Sequence, residues 1–171
     1  MPENNYAAVS LMDFSDPACA AKWHAINDGV MGGQSRGGPH VIDGQLHFTG
    51  CISLANNGGF ASIRARQQHH DLSSADSVLL RVKGDGRSYQ FRLYTSAHVG
   101  SSRIAYATTF KSIDNAWLEL RLGFSQLKPT IRGRTLSGPA FNPAGVEEIG
   151  FLLADKSEGD FHLCIDWIKT I

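Results

Sequence analysis

The chain has 171 residues, with Lys+Arg and Asp+Glu at 16 each, a formal net charge of zero and 42% hydrophobic residues. That length buries about 68–70% of the extended-chain surface on folding, enough for a full core without staples, so one domain over residues 1–171 is expected. Balanced charge without a basic or acidic tail argues against a nucleic-acid or lipid-surface binder, and no run approaches the length of a transmembrane segment.

Period-two alternation recurs along the chain and helical periodicity is nearly absent. Val9–Phe14 predicts a first strand ending at Asp16-Pro17, and Ala18–Trp23 a short helix or turn that delivers Trp23 to the core. Asp43-Gly44 between Val41-Ile42 and Leu46-His47-Phe48 is a strong hairpin turn. Leu46, Phe48, Gly50, Ile52 and Leu54 share one face, with a bulge or close approach at Gly50. Further strands are read at Phe60–Arg66, Val78–Val82, Tyr89–Tyr94, Arg103–Phe110 and Trp117–Leu122, with Ala61, Ile63 and Ala65 facing opposite to Phe60, Ser62, Arg64 and Arg66, and with Tyr89, Phe91, Leu93, Leu118, Leu120 and Leu122 pointing inward. Gly123 to Gly145 reads as a loop of about twenty residues. Ile149–Ala154 and Phe161–Ile168 read as a terminal hairpin. Roughly nine or ten strands with glycine-rich turns predict an all-β fold, an antiparallel β-sandwich of the jelly-roll type.

Two glycine words stand out: Asn27-Asp28-Gly29-Val30-Met31-Gly32-Gly33, and Asn57-Gly58-Gly59-Phe60. Glycine at this density requires positive φ or close backbone approach. The first word lacks the Lys-Ser/Thr end of a phosphate loop and leads to Pro39 and a strand, so it predicts a structured loop at one end of the sandwich. Its Asn27 and Asp28 side chains are expected to bond neighbouring backbone.

Catalytic and metal chemistry find little support. The seven histidines show no HxH or HExxH spacing, and the three cysteines no CxxC. Cys51 and Cys164 read as buried free thiols. Asp13, Asp16, Asp43 and Asp85 read as turn caps, with a calcium cage as the alternative. Ser35 and Ser62 lack a Gly-x-Ser-x-Gly elbow, and Glu119 and Asp166 read as carboxylates on the wet face of a sheet. The expectation is therefore a non-enzyme with no cofactor and no metal.

The arginines are more informative. Arg64, Arg81, Arg92 and Arg121 fall on strands, and Arg132 and Arg134 bracket Gly133 in the long loop. One reading has Arg132 or Arg134 tying that loop to an acidic side chain or carbonyl. In the other, Arg92, Tyr94 and the loop arginines line a concave sheet face that receives a partner or ligand. Trp23, Trp117 and Trp167 read as packing residues.

Trp23 through Ser35, Leu46–Gly50, Asn57–Arg64, Arg132–Arg134 and Ile149–Lys156 together resemble the complex I intermediate-associated protein 30 domain. The resemblance runs from about Val9 to Ile168 and implies a galactose-binding-like sandwich, the fold of carbohydrate-binding modules. It carries over Asn27, Asp28, Gly29, Met31, Gly32, Gly33, Ser35, Asn57, Gly59, Phe60, Arg64, Arg132, Gly133 and Arg134 as signature positions, and no catalytic residue. It implies a protein partner, an assembly intermediate of respiratory complex I (NADH:ubiquinone oxidoreductase) or a related complex. A glycan ligand on Arg92 and Tyr94 is the alternative. Mitochondrial members carry a targeting extension, and Met1–Ser10 shows neither that nor a secretory pattern, so a cytoplasmic location is expected.

Overall fold

The computed structural model describes residues 7–66 and 69–171. Met1–Tyr6, part of the stretch behind the location expectation, lie outside the described residues, as do Gln67, Gln68 and the side chains of Val30 and Met31. Among the described residues thirteen strands follow one another: β1 (Val9–Asp13), β2 (Trp23–Ala25), β3 (Arg36–Ile42), β4 (Gln45–Ile52), β5 (Ala61–Ala65), β6 (Ser77–Lys83), β7 (Ser88–Val99), β8 (Ser102–Lys111), β9 (Trp117–Gly123), β10 (Lys128–Ile131), β11 (Arg134–Thr135), β12 (Glu148–Leu153) and β13 (Gly159–Thr170). They form two antiparallel sheets. One runs β3-β4-β13-β6-β9 with β1 also on β13, and the other β11-β10-β8-β7-β12-β5-β2. The β-sandwich read from alternation is the fold.

The inner faces meet in a continuous aromatic seam. Phe48 and Phe161 of the six-stranded sheet stand edge-on at 4.8 Å, and Phe48 meets Tyr89 of the opposite sheet at 6.2 Å. The chain of rings continues through Phe110 and Phe151 to Trp23 and Phe14. Each such fully buried side chain contributes about 1.5–3 kcal/mol of transfer free energy. Leu46, Phe91, Leu163 and Ile165 are fully enclosed, and Leu118 and Leu120 pack against the same core from the β9 edge.

Gly50 is a close approach, as its place on an apolar face implied. It pairs with Gly37 across β3 and β4, and a Cβ there would lie 1.9 Å from the Arg36 carbonyl oxygen.

Several expectations are corrected. The last two strands are no hairpin: β12 pairs β5 and β7, whereas β13 pairs β4 and β6, so the connection crosses between sheets. Arg87 holds that crossing, with its Nε and Nη2 on the two Asp155 oxygens at 2.8 and 2.6 Å. Its guanidinium also donates to the carbonyls of Ser157, Gly159 and Asp160. The stretch at Ala18 is a 3-10 helix, Pro17–Lys22, capped by Asp16, and Trp23 belongs to β2. The long loop contains the β10–β11 hairpin, whose Arg132 and Gly133 take φ of 49° and 79°. Cys51 is exposed, because Ile52 takes the inward place next to it, while Cys164 is buried and burial pushes its thiol up to about 11. Trp23 is core, and Trp117 and Trp167 are half-buried beneath Arg81 and Lys169 on the outer face of the six-stranded sheet.

Gly50→Ala is expected to lower stability by about 2 kcal/mol or more, since the methyl group would force β3 and β4 apart. Gly38→Ala, whose Cβ meets nothing within 4 Å, should stay within about 0.5 kcal/mol of the parent. Urea midpoints of the two variants test this, and equal midpoints would rule out the steric account.

Candidate functional site

The two glycine words meet around one carboxylate. Asp28 has 0% of its surface exposed. Its Oδ1 accepts from the Ser35 amide at 2.9 Å, and its Oδ2 from the amides of Gly59 at 2.6 Å and Phe60 at 3.3 Å. Burial pushes this carboxyl upward, but the hydrogen bonds from Ser35, Gly59 and Phe60 more than offset it, leaving the group below the ordinary aspartate range. The glycines make room for it. A Cβ at Gly33 would lie 2.3 Å from the Asp28 Cγ, and one at Gly58 would lie 2.6 Å from its Oδ2. Gly32, at φ 85°, turns the chain out of the 3-10 segment Asp28–Met31.

The remaining signature residues serve the same junction. Asn27 donates to the Gly37 carbonyl at 3.0 Å and accepts from the Ser62 amide at 3.3 Å. The Ser35 hydroxyl donates to the Ser53 carbonyl and accepts from the Ser53 amide. Asn57 supplies a left-handed backbone position, φ 57°, and Gly59 another, φ 135°. Gly29 is exposed with nothing near it, and nothing in the structure explains its glycine. Both expected features of the first word, side chains bonded to backbone and a glycine at positive φ, are present.

The junction also builds one wall of a groove. The Ile26 amide donates to the Ser62 carbonyl at 2.9 Å and the Asp28 amide to the Phe60 carbonyl at 3.2 Å. Ile26 and Phe60 are thereby set beside the outer face of the seven-stranded sheet. There they share a cavity of about 560 Å³ with Ser62, Arg64, Leu152 and Arg92, and with Arg132 and Gly133 at the tip of the β10–β11 hairpin. A second depression of about 310 Å³ continues past Arg92 and Gly133 over Gln90, Ala107, Thr109 and Lys128.

Register explains the lining. His24, Arg64, Gly150, Arg92, Ala107 and Lys128 are direct cross-strand partners in sequence across β2, β5, β12, β7, β8 and β10. Cationic side chains thus alternate with Gly and Ala in one transverse row. Arg92 donates from Nε and Nη2 only to the neutral Gln90 Oε1, at 3.0 and 2.8 Å. Arg64 lies near Glu148 at 3.6 Å, and Glu148 is shared with Arg103 at 3.2 Å. Burial and the charge of Arg66 push His24 below the usual histidine range, so it is neutral at pH 7.

Two site expectations change. Tyr94 shares the outer face with Arg92, as alternation implied, but it is 3% exposed: the Arg64 guanidinium lies 4.2 Å from its ring centre. It is not an open platform. Nor do Arg132 and Arg134 tie down the long loop, since both are exposed and neither takes part in an ion pair or hydrogen bond among the described residues. Tyr106 does that work through its hydroxyl on the Pro139 carbonyl, at 3.0 Å. Sequence reasoning missed Leu152, because its uninterrupted apolar run hides which side chains face outward, and missed Gln90 and Lys128 as ordinary wet-face residues.

Among the described residues, no group of three or more His, Cys, Asp or Glu is placed to hold a metal ion. Of the aspartates weighed for calcium, Asp13 accepts from Ser15, Asp16 from the Ala18 amide, and Asp85 from the Arg87 amide, the Tyr89 hydroxyl and the His162 amide.

A family model described as complex I intermediate-associated protein 30 matches residues 12–165. The chain belongs to that family. Over 128 residues it is 28% identical to the mouse mitochondrial complex I intermediate-associated protein 30, covering 72% of this chain and 38% of the mouse protein. It is 31% identical over 97 residues to a probable Caenorhabditis elegans counterpart, also named mitochondrial, covering 53% of this chain and 28% of that protein. The chain therefore spans well under half of these family members' length. Their names point to mitochondria and overturn the cytoplasmic expectation.

In fold, the chain is similar to the family 11 carbohydrate-binding module of a Clostridium thermocellum cellulosomal cellulase, with TM-score 0.74, 16% identity, and coverage of 98% of this chain and 96% of that one. A second structure of a module of this type, in complex with a β-1,3-1,4-mixed-linked tetrasaccharide, also gives 0.74 at 16% identity, covering 96% and 95%. At that identity the likeness establishes the β-sandwich fold alone.

Because folding depresses the Asp28 pKa, its stabilisation is complete above the unfolded value of about 4 and is lost as pH falls through the folded value. Asp28→Asn is expected to cost about 3 kcal/mol at neutral pH and to remove this part of the acid sensitivity. Denaturant midpoints between pH 7 and 3 read the effect, and coincident curves for both proteins would dismiss the carboxylate as the tie.

Proposed function

We propose that this chain is a non-catalytic binding module of the complex I assembly-factor type, holding a protein partner on the outer groove of its seven-stranded sheet. The observation that carries the reading is the family match over residues 12–165, together with relatives named as complex I intermediate-associated proteins. The groove supports it. Arg132 offers a guanidinium fork with no partner among the described residues, and Ile26, Phe60 and Leu152 supply apolar surface beside it. The signature residues around Asp28 act beneath this surface by fixing where Ile26 and Phe60 stand.

The fold neighbours favour a glycan ligand as the second reading. Against it stands the covered ring of Tyr94, which leaves half-buried Phe60 as the aromatic side chain lining the cavity.

Affinity isolation of the tagged chain from mitochondria, followed by identification of bound proteins, is expected to recover subunits of partly assembled complex I. Depletion of the protein should reduce mature complex I on native gels. Recovery of no complex I subunit, with binding heat on titrating a mixed-linkage glucan tetrasaccharide, would replace this reading with the glycan one.

A further inference from the structure

The groove carries more positive charge than the chain as a whole requires. The full sequence balances 16 basic against 16 acidic residues. Yet Arg64, Arg92, Arg132 and Lys128 line the two contiguous depressions, and among the described residues no carboxylate does. The carboxylate bordering the row, Glu148, is already shared between Arg64 and Arg103. Among the described residues, Arg92 spends its hydrogen bonds on a neutral amide, and Arg132 takes part in none. Arginine forks left in this state match incoming carboxylates in bidentate geometry.

The spacing is also specific. Arg64 and Arg92 flank Gly150 and are therefore two strands apart, as are Arg92 and Lys128 across Ala107. With strands about 4.8 Å apart, successive cations are about 10 Å apart along the row, close to the roughly 9.3 Å over which three residues of a polyproline II segment return to the same face. Gly150 and Ala107 keep the floor low between them. Leu152, Phe60 and Ile26 lie to one side of the row and offer an apolar seat.

We infer that the groove binds an acidic segment of a protein partner in the polyproline II conformation, with carboxylates at every third residue on Arg64, Arg92 and Lys128, and one apolar side chain against Leu152 and Phe60. This rests on the protein-partner reading above and names the chemistry of that partner. Arg132, at the β10–β11 hairpin tip and with no ion pair or hydrogen bond among the described residues, reaches the segment from that side of the groove. Association is electrostatically driven and salt-sensitive.

The probe is a short labelled peptide with Glu at every third position and one central Phe, compared with its Gln counterpart by fluorescence anisotropy. The Glu peptide should bind, the Gln peptide should bind at least about tenfold more weakly, and raising salt from about 50 to about 300 mM should weaken the Glu peptide by a similar factor. Arg92→Gln combined with Arg132→Asn removes two charges, the Asn suiting the left-handed backbone at that position, and should lower affinity about tenfold with an unchanged unfolding midpoint. Equal binding of the two peptides, undiminished binding by the double variant, or binding of the mixed-linkage tetrasaccharide in place of the peptide would overturn the inference. Capture of complex I subunits by wild type and double variant alike would leave the assembly reading intact and refute the groove. Peptide binding as expected without any complex I subunit captured would do the reverse.

Discussion

The buried Asp28 carboxylate is the constraint on which the site end of the molecule depends. An ionised carboxyl withdrawn from water is costly unless nearly all its lone pairs find donors. Here the donors are backbone amides from segments far apart in sequence, Ser35 on one side and Gly59 and Phe60 on the other. Charge-assisted bonds of this kind are shorter and stronger than neutral ones. They can form only if the surrounding backbone comes close, which excludes a Cβ at Gly33 and Gly58. The two glycine words are therefore one device written in two places.

From that device the groove follows. Asp28 fixes Phe60, the neighbouring ladder fixes Ile26 on Ser62, and these two side chains face the Arg132-Gly133 tip across the sheet. Between them the surface is set by register. Gly150 is the notch: a Cβ there would sit 2.9 Å from the Ile63 carbonyl oxygen and 3.3 Å from the Arg64 Cγ, and close to the Tyr94 ring. Its absence lets the Arg64 guanidinium settle on Tyr94, a contact worth about 0.5–2 kcal/mol. The ring's energy thus goes into orienting a cation, and the surface presented to a partner is a charged one.

Alternation made the sandwich legible because burial on one side of a sheet repeats every second residue, and Leu46, Phe48, Tyr89, Phe91, Leu163 and Ile165 obey that rule. It failed where a strand is covered on both faces. In β12, Ile149, Phe151 and Leu153 enter the core while Leu152 lines the groove, and the run is apolar throughout. The crossing after β12 mimicked a hairpin because its turn residues are ordinary, and what redirects it is Arg87 from the turn between β6 and β7. The same limit applies to Tyr94. Its face was readable from its own strand, but its cover comes from β5, which period-two reasoning along β7 does not see. The glycine words were legible as structure, though not as the two halves of one carboxylate site.

The likeness to carbohydrate-binding modules and the membership in the complex I intermediate-associated protein 30 family are compatible once fold and surface are separated. A sandwich of this shape offers a shallow groove on one sheet whatever the side chains lining it. What the groove holds depends on how those side chains are presented. Stacking against a sugar ring requires a bare aromatic face, and here the aromatic under the row is capped by a guanidinium. Arginines two strands apart, with one carboxylate already divided between two of the local cations, instead present an unmatched positive field in a partly apolar trough. Such a field discriminates among partners chiefly by charge, which favours acidic protein segments and penalises neutral ligands that leave the arginines desolvated and unpaired.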